Sequence, residues 1–179
     1  MKKISTYILI LLVIGGTTAC THRYTVVEHP TKSLTDYSIL EISEFKTNLV
    51  DAKARGLANR FAYRLHWAVK NHREKNPEDI IYEEVTLNSD KTKGVLLMQG
   101  IIIKYEEGSQ AKRYWIGLGA GKAHCKIQVI FINKETGEEL SRTNFDGMLV
   151  MGVFGGDSDA AIDGVVDSFI SYMKKYMST

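Results

Sequence analysis

Two stretches of the chain carry apolar residues at helical spacing. Between about Asp51 and Arg73 they recur every four residues, with alanines widening the stripe, which predicts the longest helix. The recurring positions are Leu57, Phe61, Leu65 and Val69. A second helix is predicted from about Ser158 to Tyr176, with apolar residues on one side and lysines at its end. Each helix therefore has one face to bury against another layer.

The other apolar segments predict strands. Residues 37–45, 80–87 and 95–105 are short and apolar, and Gly100 in the middle of the third suggests a bulge. In residues 123–133 apolar and polar residues alternate, which is typical of an antiparallel strand with one exposed face. A turn at 134–137 and a return strand at 138–150 complete a hairpin. Together with the helices these strands predict an α+β fold, a two-layer sandwich of a mainly antiparallel sheet with two helices packed on one face. We expect a single domain over residues 37–177.

The amino terminus has the pattern of a bacterial export signal. Lys2 and Lys3 precede an apolar run over residues 8–14 and a small-residue stretch that ends at Cys20. The apolar run is too short for a membrane span, which needs about twenty residues. We expect residues 1–19 to be cleaved.

The last four residues of this signal, 17–20, resemble a bacterial lipobox, in which the cysteine thiol is acylated. This predicts lipidation at Cys20, a lipid-anchored tether over residues 20–36 and, because Thr21 rather than aspartate follows the cysteine, an outer-membrane location facing the periplasm. The alternative is cleavage by the ordinary signal peptidase, which gives a soluble periplasmic protein in which Cys20 is incidental.

Composition and charge exclude several classes of protein. The chain has 179 residues, of which 44% are hydrophobic and 25% charged, which is typical of one globular domain and not of a disordered or polytopic membrane protein. Loss of Lys2 and Lys3 with the signal leaves 21 basic and 21 acidic residues. A neutral mature chain gives no reason to expect a nucleic-acid partner.

Residues 113–122 are the most distinctive segment, because glycines alternate with larger residues. Arg113, Gly117, Gly119, Gly121 and Lys122 form a possible ligand or packing segment. A nucleotide-binding P-loop needs a different glycine spacing and a Ser or Thr after the lysine, and a dinucleotide fingerprint needs a following helix. We therefore expect close backbone packing at these glycines, with anion binding as the alternative.

No motif for catalysis or metal binding is found in the sequence. The five histidines lack metal-ligand spacing, and no Gly-x-Ser-x-Gly elbow occurs. Cys125 alternates with apolar residues, so we expect it to be a small buried residue rather than a nucleophile. These observations predict no cofactor, no metal and no enzymatic activity.

The order of these features resembles the bacterial envelope lipoprotein family called domain of unknown function 4410. The similarity rests on the export signal with its terminal cysteine, the segment Arg113-x-x-x-Gly117-x-Gly119-x-Gly121, the turn at Thr136 and Gly137, and the closing helix. The resemblance covers residues 37–176 and implies an interaction or assembly module with an envelope protein partner. The alternative is a periplasmic protein that binds a small ligand, an anion or a glycan.

Overall fold

A computed structural model describes residues 23–79, 82–106, 124–148 and 158–177. The described elements are strands β1 (Arg23–Glu28) and β2 (Ile39–Thr47), helix α1 (Ala52–Lys75), a short 3-10 helix (Pro77–Asp79), strands β3 (Glu84–Thr86), β4 (Val95–Glu106), β5 (His124–Asn133) and β6 (Glu139–Met148), and helix α2 (Ser158–Tyr176). Both predicted helices are confirmed. Asp51 begins α1 as its N-cap, because its side chain accepts hydrogen bonds from the backbone N–H groups of Lys53 and Ala54.

The six strands form one mixed sheet in the order β1-β6-β5-β4-β2-β3. The first four strands in this order pair antiparallel, whereas β2 pairs parallel with both β4 and β3. Helix α1 supplies the crossover between the parallel strands β2 and β3, as parallel pairing requires. The α+β fold predicted from the sequence is confirmed, with helices packed against the sheet.

Both helices cover the same face of the sheet. The alternating apolar residues predicted for β5 are buried on that face, where Phe131 stacks on Tyr172 of α2 with ring centroids 5.6 Å apart. Phe45 of β2 packs against Phe61 of α1 with centroids 4.7 Å apart. Burial of these large apolar side chains is the main source of stability for a domain of this size.

The strand Arg23–Glu28 corrects the predicted domain boundary. Residues 20–36 were expected to be a tether, but β1 pairs with β6 along its length and Tyr24 makes an edge-on contact with Tyr172, with ring centroids 5.4 Å apart. Leu34 is buried, and the backbone N–H of Thr31 donates to the carbonyl of Leu140. Residues 23–36 are therefore part of the folded domain, which begins earlier than residue 37. Only two side chains of β1 face the core, so its pattern is too weak to distinguish it from a loop.

The predicted hairpin between β5 and β6 is confirmed, and Gly137 in its turn has φ of +74°. The bulge expected at Gly100 is displaced. Gly100 pairs in register with Phe45 and Val129, and the irregularities lie in β2 between Ile42 and Phe45 and in β4 between Ile102 and Lys104.

Candidate interaction surface

The outer face of α1 carries two large aromatic side chains that the core does not use. Because the apolar stripe of α1 faces the sheet, Tyr63 and Trp67 lie on the opposite side of the helix, four residues apart. Their exposed fractions are 63% and 68%. Aromatic residues this exposed are unusual in a domain that has a well-filled core, and they mark a surface that can bury apolar area against a partner.

These aromatic residues form one wall of a groove between α1 and α2, with a volume of about 300 Å³. We call it the aromatic groove; its lining residues are Tyr63, Arg64, Trp67, Ala68, Asp163 and Val166. Across it, Arg64 Nη2 donates to Asp163 Oδ1 at 2.7 Å. This ion pair is more than one-third exposed on both sides and adds little stability, but it fixes charged groups beside the aromatic rings.

The two helices bring opposite charges to the groove. Helix α1 contains seven basic residues and one acidic residue, Glu74; the basic residues are Lys53, Arg55, Arg60, Arg64, Lys70, Arg73 and Lys75. On α2 the exposed side chain of Asp163 lines the groove. The lining of the groove therefore contains one basic residue, Arg64, and one acidic residue, Asp163.

Cys20 and the segment residues Arg113, Gly117, Gly119, Gly121 and Lys122 all lie outside the described residues. Sequence analysis missed Tyr63 and Trp67. Their position was the available signal. Two aromatic residues four apart, on the side of a predicted helix opposite its apolar stripe, cannot reach the core that the stripe packs against.

Cys125 is placed as expected. It is fully buried on the helix-covered face of β5, and burial, assisted by the negative charge of Asp146, raises its pKa to about 12. A thiol in this environment is not ionised at neutral pH and is not a nucleophile.

Two histidine–carboxylate pairs lie away from the aromatic groove. His124 Nε2 is 2.5 Å from Asp146 Oδ1 on the face of the sheet opposite the helices. His72 Nε2 lies 2.8 Å from Asp79 Oδ2, which also accepts from Lys174 Nζ at 2.8 Å. The second cluster joins the carboxyl ends of α1 and α2. Neither pair extends to a group of three ligands, and the part of the chain that the structure describes has no cluster suited to a metal ion.

Among the described helices none combines the length and the apolar character that crossing a bilayer requires. Residues 46–153, more than half of the chain, match the family described as Domain of unknown function (DUF4410). The chain belongs to this family. No curated protein sequence is significantly similar to it.

Two solved structures of PelC share the fold of this DUF4410 member at very low identity. The PelC dodecamer from Paraburkholderia phytofirmans is 7% identical with a TM-score of 0.54, covering 88% of this chain and 99% of that chain. A single-residue variant of the PelC dodecamer gives 7% identity and a TM-score of 0.53, covering 83% of this chain and 95% of that chain. Lipoprotein GNA1162 from Neisseria meningitidis is 8% identical with a TM-score of 0.40, over 76% of this chain and 96% of that chain.

Proposed function

We propose that this protein is a lipid-anchored component of the bacterial cell envelope, and that its domain serves as a non-enzymatic interaction module in an envelope assembly. The observation that carries the proposal is the aromatic groove, in which Tyr63 and Trp67 stand exposed beside the Arg64–Asp163 ion pair. Buried aromatic and arginine side chains are the usual anchors of protein interfaces.

The proposed anchor is an acyl chain on Cys20, facing the periplasm from the outer membrane. Only Thr21 and His22 separate Cys20 from the first residue of β1. The three Cα–Cα steps from Cys20 to Arg23 span at most about 11 Å. The anchor would therefore hold the domain directly at the membrane rather than at the end of a long tether.

The fold neighbours support an assembly role. PelC, whose fold this chain shares, forms a dodecamer. We infer that the present fold suits a subunit that packs against other subunits at a membrane surface.

The alternative function is a periplasmic binder of a small ligand, an anion or a glycan. Its support is also in the aromatic groove, because aromatic rings beside an arginine and a carboxylate can stack on a sugar ring and bind its hydroxyl groups. The two functions predict different losses when Trp67 is replaced: loss of a protein partner for the interaction module, and loss of ligand binding for the alternative.

The deciding experiment is chemical crosslinking of intact envelopes followed by purification of the full-length protein. The wild type and Trp67→Ala are compared with Asn59→Ala, which changes an exposed residue of α1 that does not line the groove. We expect a stoichiometric protein partner with the wild type and Asn59→Ala, and its loss with Trp67→Ala. Equal recovery with all three proteins would contradict a role for the groove. Thermal stabilisation of the wild type by glycan fragments, lost in Trp67→Ala and without a protein partner, would instead establish the alternative.

The anchor is tested separately by Cys20→Ser. We expect wild-type protein in the outer-membrane fraction with an acylated first residue, and the variant to be unprocessed or soluble. Recovery of unmodified wild-type protein in the soluble periplasm would remove the anchor from the proposal while leaving the interaction module in place.

A further inference from the structure

Strand β1 forms an outer edge of the sheet. It pairs with β6 on one side, and no strand among the described residues pairs with its other side. Such an edge presents backbone N–H and C=O groups that can pair with a further strand. Edge strands are often protected by lysine or proline, and Arg23–Glu28 contains neither. The edge can therefore accept one more strand.

A bulge places the two charged ends of β1 on the same face of the sheet. Arg23 pairs with Asp146. Glu28 pairs with Arg142, which lies four residues from Asp146 on β6 and therefore on the same face. A register shift leaves Val27 outside the ladder, so Arg23 and Glu28 share a face although they are five residues apart. Strand β1 thus has five ladder positions, with opposite charges at the two ends.

We propose that the outer edge of β1 pairs antiparallel with β1 of a second copy of this chain, about a two-fold axis at Thr25. Thr25 then lies opposite Thr25 of the second copy. Arg23 lies opposite Glu28 of the second copy, and Tyr24 lies opposite its Val26. All five ladder positions are paired, and every pair shares one face of the sheet. A two-fold register centred on Tyr24 or on Val26 pairs only three of these positions and brings no opposite charges together.

The charges of the joined strands favour a second copy over an unrelated strand. Away from the helices, one row across the four central strands reads Asp146 and Arg23 of one copy, then Glu28 and Arg142 of the other. The signs in this row alternate, and within one copy Glu28 Oε1 lies 3.7 Å from Arg142 Nε. Opposite charges facing each other stabilise a strand pair, whereas like charges destabilise it. Each end of β1 thus complements the other end, as a two-fold interface that uses the same patch twice requires.

The helices leave room for this pairing. Helix α2 packs mainly on β6. Strands lie about 4.8 Å apart, so the β6 strands of the two copies are about 14 Å apart across the two β1 strands. Packed helices need a separation of only about 8–10 Å. The two α2 helices therefore fit side by side on one face of the joined sheet. Tyr24, which contacts Tyr172 and Tyr176 edge-on, lies between them.

Cysteine crosslinking in isolated envelopes tests this register. The full-length protein carries Thr25→Cys, Arg23→Cys or Glu28→Cys, all at exposed positions, and the envelopes are treated with a mild oxidant. Residues directly opposite in an antiparallel pair have Cα atoms about 5 Å apart, within reach of a disulfide. Two copies of residue 23 would be about 14 Å apart along the strands, which is too far. We expect Thr25→Cys to give at least about ten times more covalent dimer than Arg23→Cys alone.

A mixed pair provides the positive control for the register. Arg23→Cys and Glu28→Cys are co-expressed with two different affinity tags, and we expect a disulfide that joins both tags. Mass analysis assigns each link to its residues, and the wild type reports any link through Cys20 or Cys125. Thermal unfolding shows that each variant remains folded. Equal dimer from Thr25→Cys and Arg23→Cys, or no link between folded Thr25→Cys copies, would overturn the proposal.

This inference does not depend on the aromatic groove, so the two proposals can fail separately. We expect the link at Thr25→Cys to persist when Trp67→Ala is added, because Trp67 lies on α1 and not at the β1 edge. A link at residue 25 without any partner dependent on Trp67 would retain the strand pairing and reject the groove as an interaction site. A partner lost in Trp67→Ala, with no link at residue 25, would reject the strand pairing and retain the interaction module.

Discussion

The ring of Phe45 fills the space above Gly100. A Cβ atom at position 100 would lie 1.9 Å from Cε1 of Phe45 and 2.1 Å from its Cδ1. The two residues are paired across β2 and β4, and the same ring packs on Phe61 of α1. Because Gly100 has no side chain, the Phe45 ring can lie over β4 and still pack on Phe61 of α1.

We expect Gly100→Ala to destabilise the domain by at least about 2 kcal/mol, because the Phe45 ring would have to leave its position against α1. Gly56→Ala is the matched control. Gly56 lies inside α1, and nothing is within 4 Å of an added Cβ there, so alanine should stabilise the helix by about 0.5–1 kcal/mol. Urea unfolding of both variants measures the difference, and equal effects at the two glycines would contradict the packing role of Phe45.

Cys125 should resist thiol reagents in the folded protein. Its pKa of about 12 lowers the thiolate fraction at pH 8 by roughly a thousandfold relative to an exposed thiol. Labelling followed by mass analysis of the Cys125 peptide should show slow modification in buffer and fast modification in denaturant. Rapid labelling of the native protein would mean that the core beneath the helices opens readily.

Lys134 should be required to neutralise a buried carboxylate. Its Nζ lies 2.6 Å from Oε2 of Glu41, which is almost fully buried, and 2.6 Å from the carbonyl oxygen of Ser89. Lys134→Ala leaves that carboxylate unpaired and should cost about 2–3 kcal/mol in the free energy of unfolding. Lys104→Ala removes an exposed pair with Glu106 and should change stability by less than about 0.5 kcal/mol. If both substitutions have the same small effect, Glu41 is not electrostatically dependent on Lys134.

Asp79 should make the domain sensitive to acid. Hydrogen bonds from Lys174 and His72 lower the pKa of Asp79 below its ordinary value. A carboxyl whose pKa is lower in the folded than in the unfolded state stabilises the fold fully when the pH is above its unfolded-state pKa. This contribution is lost as the pH falls through its folded-state pKa. Stability measured from pH 6 downward should therefore fall less steeply in Asp79→Asn than in the wild type. Asp90→Asn, at an exposed loop position, serves as the control, and identical slopes for the two substitutions would exclude Asp79 as a contributor.

The sequence pattern predicted those helices and strands that have one clearly apolar face. The stripe of α1 and the alternation of β5 predict both the element and its buried side, because each pattern is long enough to fix a period. The alternation around Cys125 even identified the residue as buried, which is confirmed.

The pairing of distant segments was not predictable in this way. Strand β1 has a weak pattern of its own and belongs to the sheet only because β6 offers an unpaired edge. The parallel pairing of β2 with β4 likewise depends on where α1 returns the chain. Position 100 needs a glycine because of Phe45, which is far away in sequence, so the strand pattern alone suggested a bulge. The aromatic groove needs two helices side by side, and no property of either helix alone reveals it.

The pairing of β1 with β6 has a consequence for the order in which the domain can be completed. Arg23 pairs with Asp146, and Tyr24 pairs with Phe145, so the first described strand cannot pair until the last described strand has been synthesised. Contacts that close such a long loop form late, because the chain entropy is lost before the contact is gained. Until β6 and α2 are in place, Tyr24 and Val26 have no core surface to pack against. Strand β1 therefore joins the sheet only after β6 is available, and a chain that ends before residue 139 would leave β1 unpaired.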